Sequence, residues 1–272
     1  MATKVTDIPK IMKAKGWLKG KALMEGWFAR PANDKPRKGR PDTQTITMHW
    51  VLGYRRAKQS FDKAVKGQVW VNPAARGEIV KMLHRKGHLT FNSIGNEPFG
   101  DFTLPVTKID DDYVQYKTVG GDGYYYGSYL EGYFNNYGHY FYGYDTMDDM
   151  TAALGRFVFR IAVKGTVSPE KNNRRTITVE KAAFYVRDSY DFNGDQFLGL
   201  WDKDDNSVSA WKLGSGSWIE NKDFRDYRKK TGWGGDYLIY SDLKIVDSRH
   251  SFGIQRVGNA YMVDGLAVPV MP

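Results

Sequence analysis

The chain has 272 residues, 41% hydrophobic and 26% charged, which is enough to bury a core and excludes disorder as the state of the whole. No stretch approaches the ~18 consecutive apolar residues of a membrane helix, and the lack of cysteine excludes disulfides, thiol nucleophiles, thiolate zinc and iron–sulfur ligation. The net charge of +9 is uneven: residues 1–90 hold 20 Lys/Arg against 6 Asp/Glu, and residues 91–272 hold 20 against 25.

That asymmetry steers the basic part toward an acidic protein, nucleic acid or phospholipid, although lysines coating helix faces account for the same charge. The first residues, Met1 to Asp7, carry no apolar run before a small-residue cleavage site, so no secretory signal is expected. Asp7-Ile8-Pro9 opens a helix whose apolar face is Ile11, Met12, Leu18, Leu23, Met24, Trp27 and Phe28, with Gly16 and Gly20 weakening it enough to break it. Arg30 to Gln44, with three prolines and a Lys/Arg cluster, reads as an exposed basic loop. Ile46, Met48, Trp50 and Leu52 alternate with Thr47, His49 and Val51, which predicts a short strand. Asn72-Pro73 starts a helix with Ile79, Val80 and Leu83 as its buried stripe and Gly87 at its end.

Beyond residue 100 the period becomes two. Phe157, Phe159, Ile161 and Val163 form one strand and Ile177 to Arg187 a second, joined as a hairpin across Pro169 to Asn173. Gly258-Asn259 and Asp264-Gly265 are turn pairs of a β-meander. The expected fold is α+β, a helical basic region over 1–90 leading into an antiparallel sandwich or open barrel over 91–272, integrated as one domain.

Residues 113–144 hold eleven of the eighteen tyrosines and seven glycines, among them Tyr124, Tyr125, Tyr126, Tyr129 and Tyr133. Rigid amphipathic rings on a pliable backbone suit a partner-binding face, and twisted strands paved with tyrosine give the same composition. Asp191, Asn193, Asp195 and Asp202 fall at positions 1, 3, 5 and 12 of a calcium-type loop. Gln196 stands where that loop needs glycine, however, and Asp202 replaces its glutamate, so an Asx-stabilised turn competes with a Ca²⁺ site. His84 and His88 are four apart, but Gly87 interrupts them. Asp242-Leu243-Lys244 fits the acid-x-Lys of metal-dependent nucleases, a pattern that also arises by chance.

Four phrases then stand out. They are Ile8-Pro9, Met12 and Gly16-Trp17 with Leu23 to Phe28; Asp148-Asp149 through Thr151 and Gly155 to Phe157; Tyr185 to Gln196, which includes Asp188-Ser189-Tyr190-Asp191-Phe192-Asn193-Gly194-Asp195-Gln196; and Gly234-Gly235-Asp236 to Asp242. Together they resemble a proteobacterial family classed only as a domain of unknown function. The resemblance implies genes beside those of the type VI secretion spike and its tip, and hence an accessory or cargo of that injector, and it supplies no catalytic residues. The expectation is an adaptor or chaperone that binds an effector or a spike component in the bacterial cytoplasm, with export by the type VI machinery as a further station. The alternative is an antibacterial toxin, a metal-dependent nuclease being its most arguable form. Nucleic acid is not the expected partner, and no cofactor is expected beyond Ca²⁺ at the Asp191 loop.

Overall fold

A computed structural model describes residues 2–89, 95–112, 147–155, 157–170, 173–209 and 216–270. The N-terminal helices are α1 (Ile8–Ala14), α2 (Leu18–Phe28), α3 (Met48–Leu52), α4 (Arg55–Lys66) and α5 (Pro73–Arg85). There follow β1 (Glu97–Phe99), α6 (Val106–Asp112), α7 (Asp149–Leu154), β2 (Phe159–Pro169), β3 (Arg174–Tyr190), β4 (Phe197–Asp202), β5 (Ser207–Ser209) and β6 (Ser217–Glu220). The chain then forms α8 (Asn221–Thr231), β7 (Tyr237–Tyr240), β8 (Lys244–Val257), β9 (Ala260–Val263) and β10 (Leu266–Pro269). The fold is α+β as expected, with helices first and antiparallel sheets after them.

One sheet runs β1-β2-β3-β8-β9-β10 with β7 also paired to β3, and a second runs β5-β4-β6; neither closes into a barrel. The chain divides into two compact units, each assembled from three stretches. The first takes residues 1–58, 133–158 and 186–242, and the second 59–132, 159–185 and 243–272. The helical and β-rich halves read from composition therefore each contribute to both units.

In the first unit, the helix break falls at Gly16, whose φ of +74° ends α1 in a left-handed turn that costs glycine little. Ile8, Ile11, Met12, Leu23, Met24 and Trp27 are buried as the periodicity requires, whereas Leu18 is 60% exposed. Gly20 allows close approach, since a Cβ there would lie 2.8 Å from Cβ of Ala152 on α7. Asp149 fixes that contact by accepting hydrogen bonds from the Lys19 and Gly20 amides at 3.0 and 2.7 Å. Its neighbour Asp148 caps α7 through the Thr151 amide and is held by both arms of Arg56, at 2.7 and 2.8 Å.

The strand expected over Ile46 to Leu52 is instead the helical turn α3. Thr47 Oγ1 accepts from the Trp50 amide at 3.2 Å and the Asp242 carboxylate accepts from the Met48 amide at 2.6 Å, so two caps fix a helical start. Ile46, Met48 and Val51 are buried, and a seven-residue alternation does not separate that helical set from a strand. The basic loop after Arg30 is pinned by bridges from Pro31, Asn33 and Asp42 to Trp233, Gly235 and Ile239.

In the second unit, the Asn72 side chain caps α5 through the Ala75 amide at 2.8 Å, and Gly87, at φ +79°, follows the helix end. β2 and β3 are neighbours, as the predicted hairpin requires. The meander turns lie between β8, β9 and β10, with Asp264 and Gly265 both at positive φ.

Candidate functional site

The Asp191 to Gln196 segment connects β3 to β4 in the first unit and is held from several sides. Asp191 accepts from the Asn193 amide at 3.2 Å, an Asx turn, and Gly194 at φ +71° completes the bend. Helix α8 clamps the outside. Arg225 donates to Phe192 O at 3.0 Å and to Asp195 at 2.9 Å, Asn221 Nδ2 donates to Asn193 O at 2.8 Å, and the Asn221 amide donates to Gln196 O at 3.0 Å. Inside, Phe192 stacks on Phe224 with centroids 3.7 Å apart, and Trp27 meets both rings edge-on at 5.0 and 5.5 Å.

Asp236 anchors the inner layer. Fully buried, it accepts from Trp27 Nε1 at 2.8 Å, from Asn193 Nδ2 at 3.2 Å, and from Arg228 Nη2 in a charge-assisted pair. Burial pushes its carboxyl above the ordinary carboxylate value, against the Trp27 hydrogen bond and the Arg228 charge.

The four oxygen ligands expected of a calcium loop are engaged separately. Asp191 binds the Asn193 amide, Asn193 binds Asp236, Asp195 pairs with Arg225, and Asp202, the last residue of β4, accepts from the Asp204 amide at 2.9 Å. Among the described residues, no group of three or more His, Asp or Glu side chains is placed to hold a metal ion. Millimolar Ca²⁺ is accordingly expected to leave the melting temperature no higher than Mg²⁺ does, because only a ligand that binds the folded state raises it. A Ca²⁺-specific rise would restore the metal reading.

Next to this loop the first unit holds a half-open cavity of about 650 Å³. Its wall is mainly apolar, with Met12 of α1, Met24 of α2, Leu154 of α7 and Leu198 of β4 among the lining residues. The polar side chains are those of Thr151 from α7, Asp188, Ser189 and Tyr190 from β3, Asp191 and Gln196 of the loop, and Asn221 at the start of α8. Asp188 lies opposite Ile239 of β7 in the sheet register. Burial pushes its carboxyl up to about 8, with a smaller push from the Asp191 charge, against the Ser189 main-chain hydrogen bond and the Arg187 charge. Burial likewise holds the Tyr190 hydroxyl well above its ordinary value. Asn221 is 3% exposed and its Oδ1 accepts no hydrogen bond, an uncompensated buried acceptor.

A second, shallower groove lies between α1, α2 and α8 of the same unit. Pro9, Phe28 and Tyr227 give it apolar surface, and Lys10, Lys13 and Lys21 give it positive charge, with Lys21 bound to Glu25 at 2.6 Å. The rings of Phe28 and Tyr227 meet edge-on at 5.0 Å.

Other candidate residues take local roles. Tyr124, Tyr125, Tyr126, Tyr129 and Tyr133 lie outside the described residues. The carboxylate of Asp242 caps α3, as described above. His88 pairs with Glu97 at 3.0 Å, while the His84 ring packs on the Tyr261 edge. Sequence reasoning missed Asp188 and Asn221 as cavity residues; the only signal for Asp188 was its place in the Asp188 to Gln196 string.

A family model described as a family of unknown function, DUF6402, matches residues 3–215 and 215–255, and the chain belongs to that family. No curated protein and no solved structure matches the chain.

Proposed function

We propose that this protein is a type VI secretion accessory factor, an adaptor or chaperone that binds an acidic segment of an effector or spike component. The groove carries the binding part of this reading: Lys10, Lys13 and Lys21 surround apolar surface from Phe28 and Tyr227, which suits carboxylates interspersed with apolar side chains. The type VI part rests on the sequence resemblance. Helix-borne lysines are spaced along α1 and α2 and not gathered into an arm, which favours a protein partner over a nucleic-acid backbone. The action is placed in the bacterial cytoplasm, with export by the same machinery as a later step.

The test is a pull-down from the native host with the captured protein identified, followed by titration of that partner against Lys10→Glu/Lys13→Glu/Lys21→Glu. The charge-reversed protein is expected to keep its melting temperature and to lose roughly 100-fold in affinity, since like charges across an interface cost several kcal/mol. Undiminished partner binding would remove the groove from the reading. Tight DNA binding at physiological salt with a steep salt slope would replace the adaptor with the nuclease-type toxin.

A further inference from the structure

We propose that one edge of the first unit, built from the basic loop of residues 30–42 and the end of α8, docks on a bilayer surface rich in anionic lipid. Six cations and one aromatic ring carry it. Lys35, Arg37, Lys38 and Arg40 of the loop and Lys229 and Lys230 of α8 are all exposed, and none forms a salt bridge with a described carboxylate. Other cations of the same unit are paired, Lys21 with Glu25, Lys222 with Asp226 and Arg225 with Asp195. Where the two basic stretches meet stands Trp233, 49% exposed, whose indole makes no ring contact or hydrogen bond with a described residue.

The backbone brings these residues together. Pro31 forms a bridge with Trp233, and the Ala32 amide donates to Gly232 O at 3.0 Å, so the loop starts against the end of α8. Its tip is held as well. Asn33 Nδ2 donates to Lys35 O at 3.0 Å and to Asp236 O at 2.7 Å, the Lys38 amide donates to Lys35 O at 2.8 Å, and a Cβ on Gly39 would lie 2.5 Å from Asp236 O. Asp42 closes the loop against Ile239. Cations on a loop fixed in this way meet a partner without the ordering cost that a flexible arm carries.

A bilayer suits this surface better than a segment of protein or nucleic acid. Neither the cavity beside the Asp191 loop nor the lysine groove includes any of these residues, and a lipid surface, unlike a peptide or a nucleobase, needs no concavity to receive it. Each Lys or Arg held near an anionic leaflet strengthens binding roughly fivefold, and tryptophan favours the headgroup level, where its ring leaves water while its N–H keeps a polar partner. Asp34 is the only carboxylate within residues 30–41, so little in the loop opposes that attraction. The surface is distinct from the lysine groove, and the proposal does not rest on the adaptor reading.

The test is cosedimentation of the full chain with phosphatidylcholine vesicles containing about 30% phosphatidylglycerol, against vesicles of phosphatidylcholine alone. The expected result is binding to the anionic vesicles only, weakened at high salt by screening, with tryptophan fluorescence quenched by brominated acyl chains. Lys35→Gln/Arg37→Gln/Lys38→Gln is expected to keep its melting temperature and to bind roughly 100-fold more weakly, three factors of about five. Trp233→Ala is expected to bind roughly 10-fold more weakly and to lose most of the quenching, since it removes apolar area and leaves the cations. No binding to the anionic vesicles, equal binding to both kinds, or undiminished binding of either variant would overturn the proposal. So would binding of a short DNA or of polyglutamate that is tighter than that of the vesicles and is lost in the triple variant, which would make the patch a nucleic-acid or acidic-protein site. Lys10, Lys13 and Lys21 are unchanged in these variants, so failure here and failure of the adaptor reading are read separately.

Discussion

Replacing Asp236 by alanine is expected to destabilise the folded protein by about 3–5 kcal/mol, because it leaves the Arg228 guanidinium buried without its counter-charge. The Arg228 side chain is only 11% exposed and that of Asp236 is fully buried, so water does not take the place of the missing carboxylate. The same change removes the acceptor for Trp27 Nε1 and for Asn193 Nδ2, two further buried or half-buried donors. Asp236→Asn is expected to cost less, since an amide oxygen still accepts from Trp27. The double variant Asp236→Ala/Arg228→Ala is expected to fall well short of the sum of its singles, the mark of a coupled pair. Urea unfolding with unchanged slope measures all four; a loss below about 1 kcal/mol for Asp236→Ala would mean that the pair is solvated and that the loop is held by its aromatic stack and the hydrogen bonds from Arg225 and Asn221.

The features that could be read from the sequence are those whose causes are local. Asn72-Pro73 and Gly87 bracket α5 because a cap, a fixed φ and a left-handed glycine act within one turn of the chain, and Asp264-Gly265 sets a hairpin for the same reason. Ile46 to Leu52 was misleading because one of its caps, Asp242, lies 194 residues further along the chain and no local pattern announces it. Leu18 belongs to the apolar face by spacing and is nevertheless exposed, since it stands at the first position of α2 just after the Gly16 break. The Asp191 loop was legible as an Asx turn, but its partners Asn221, Arg225 and Asp236 come from later elements and were not. The cavity was invisible for a deeper reason. Its wall draws on α1, α2, α7, β3, β4 and α8, elements far apart along the chain, and its polar residues, Asp188 and Asn221 among them, carry no local pattern that marks them.

Phe184→Ala should produce a loss of about 3–5 kcal/mol, the usual range for emptying a buried phenylalanine site. Phe184 is fully buried in the second unit, on the part of β3 that pairs with β8. Its ring meets Phe61 of α4 at 5.0 Å, Trp70 at 5.7 Å and Phe159 of β2 at 6.4 Å, all edge-on. Such geometry sets the positive edge of one ring against the negative face of another and adds about 0.5–1.5 kcal/mol per pair beyond the area buried. Collapse into the vacated space is hindered because two of these neighbours are fixed by the backbone of adjacent elements, and Trp70 is tethered by its own Nε1–H to Ser248 Oγ at 3.0 Å. Phe184→Leu keeps most of the volume and loses the ring edges, so a loss of about 1–2 kcal/mol separates the aromatic contribution from the cavity. Denaturant unfolding followed by tryptophan fluorescence and by circular dichroism reports both variants. If alanine and leucine cost the same, the ring geometry contributes nothing and β3 is held at this point by its ladder and by aliphatic packing instead.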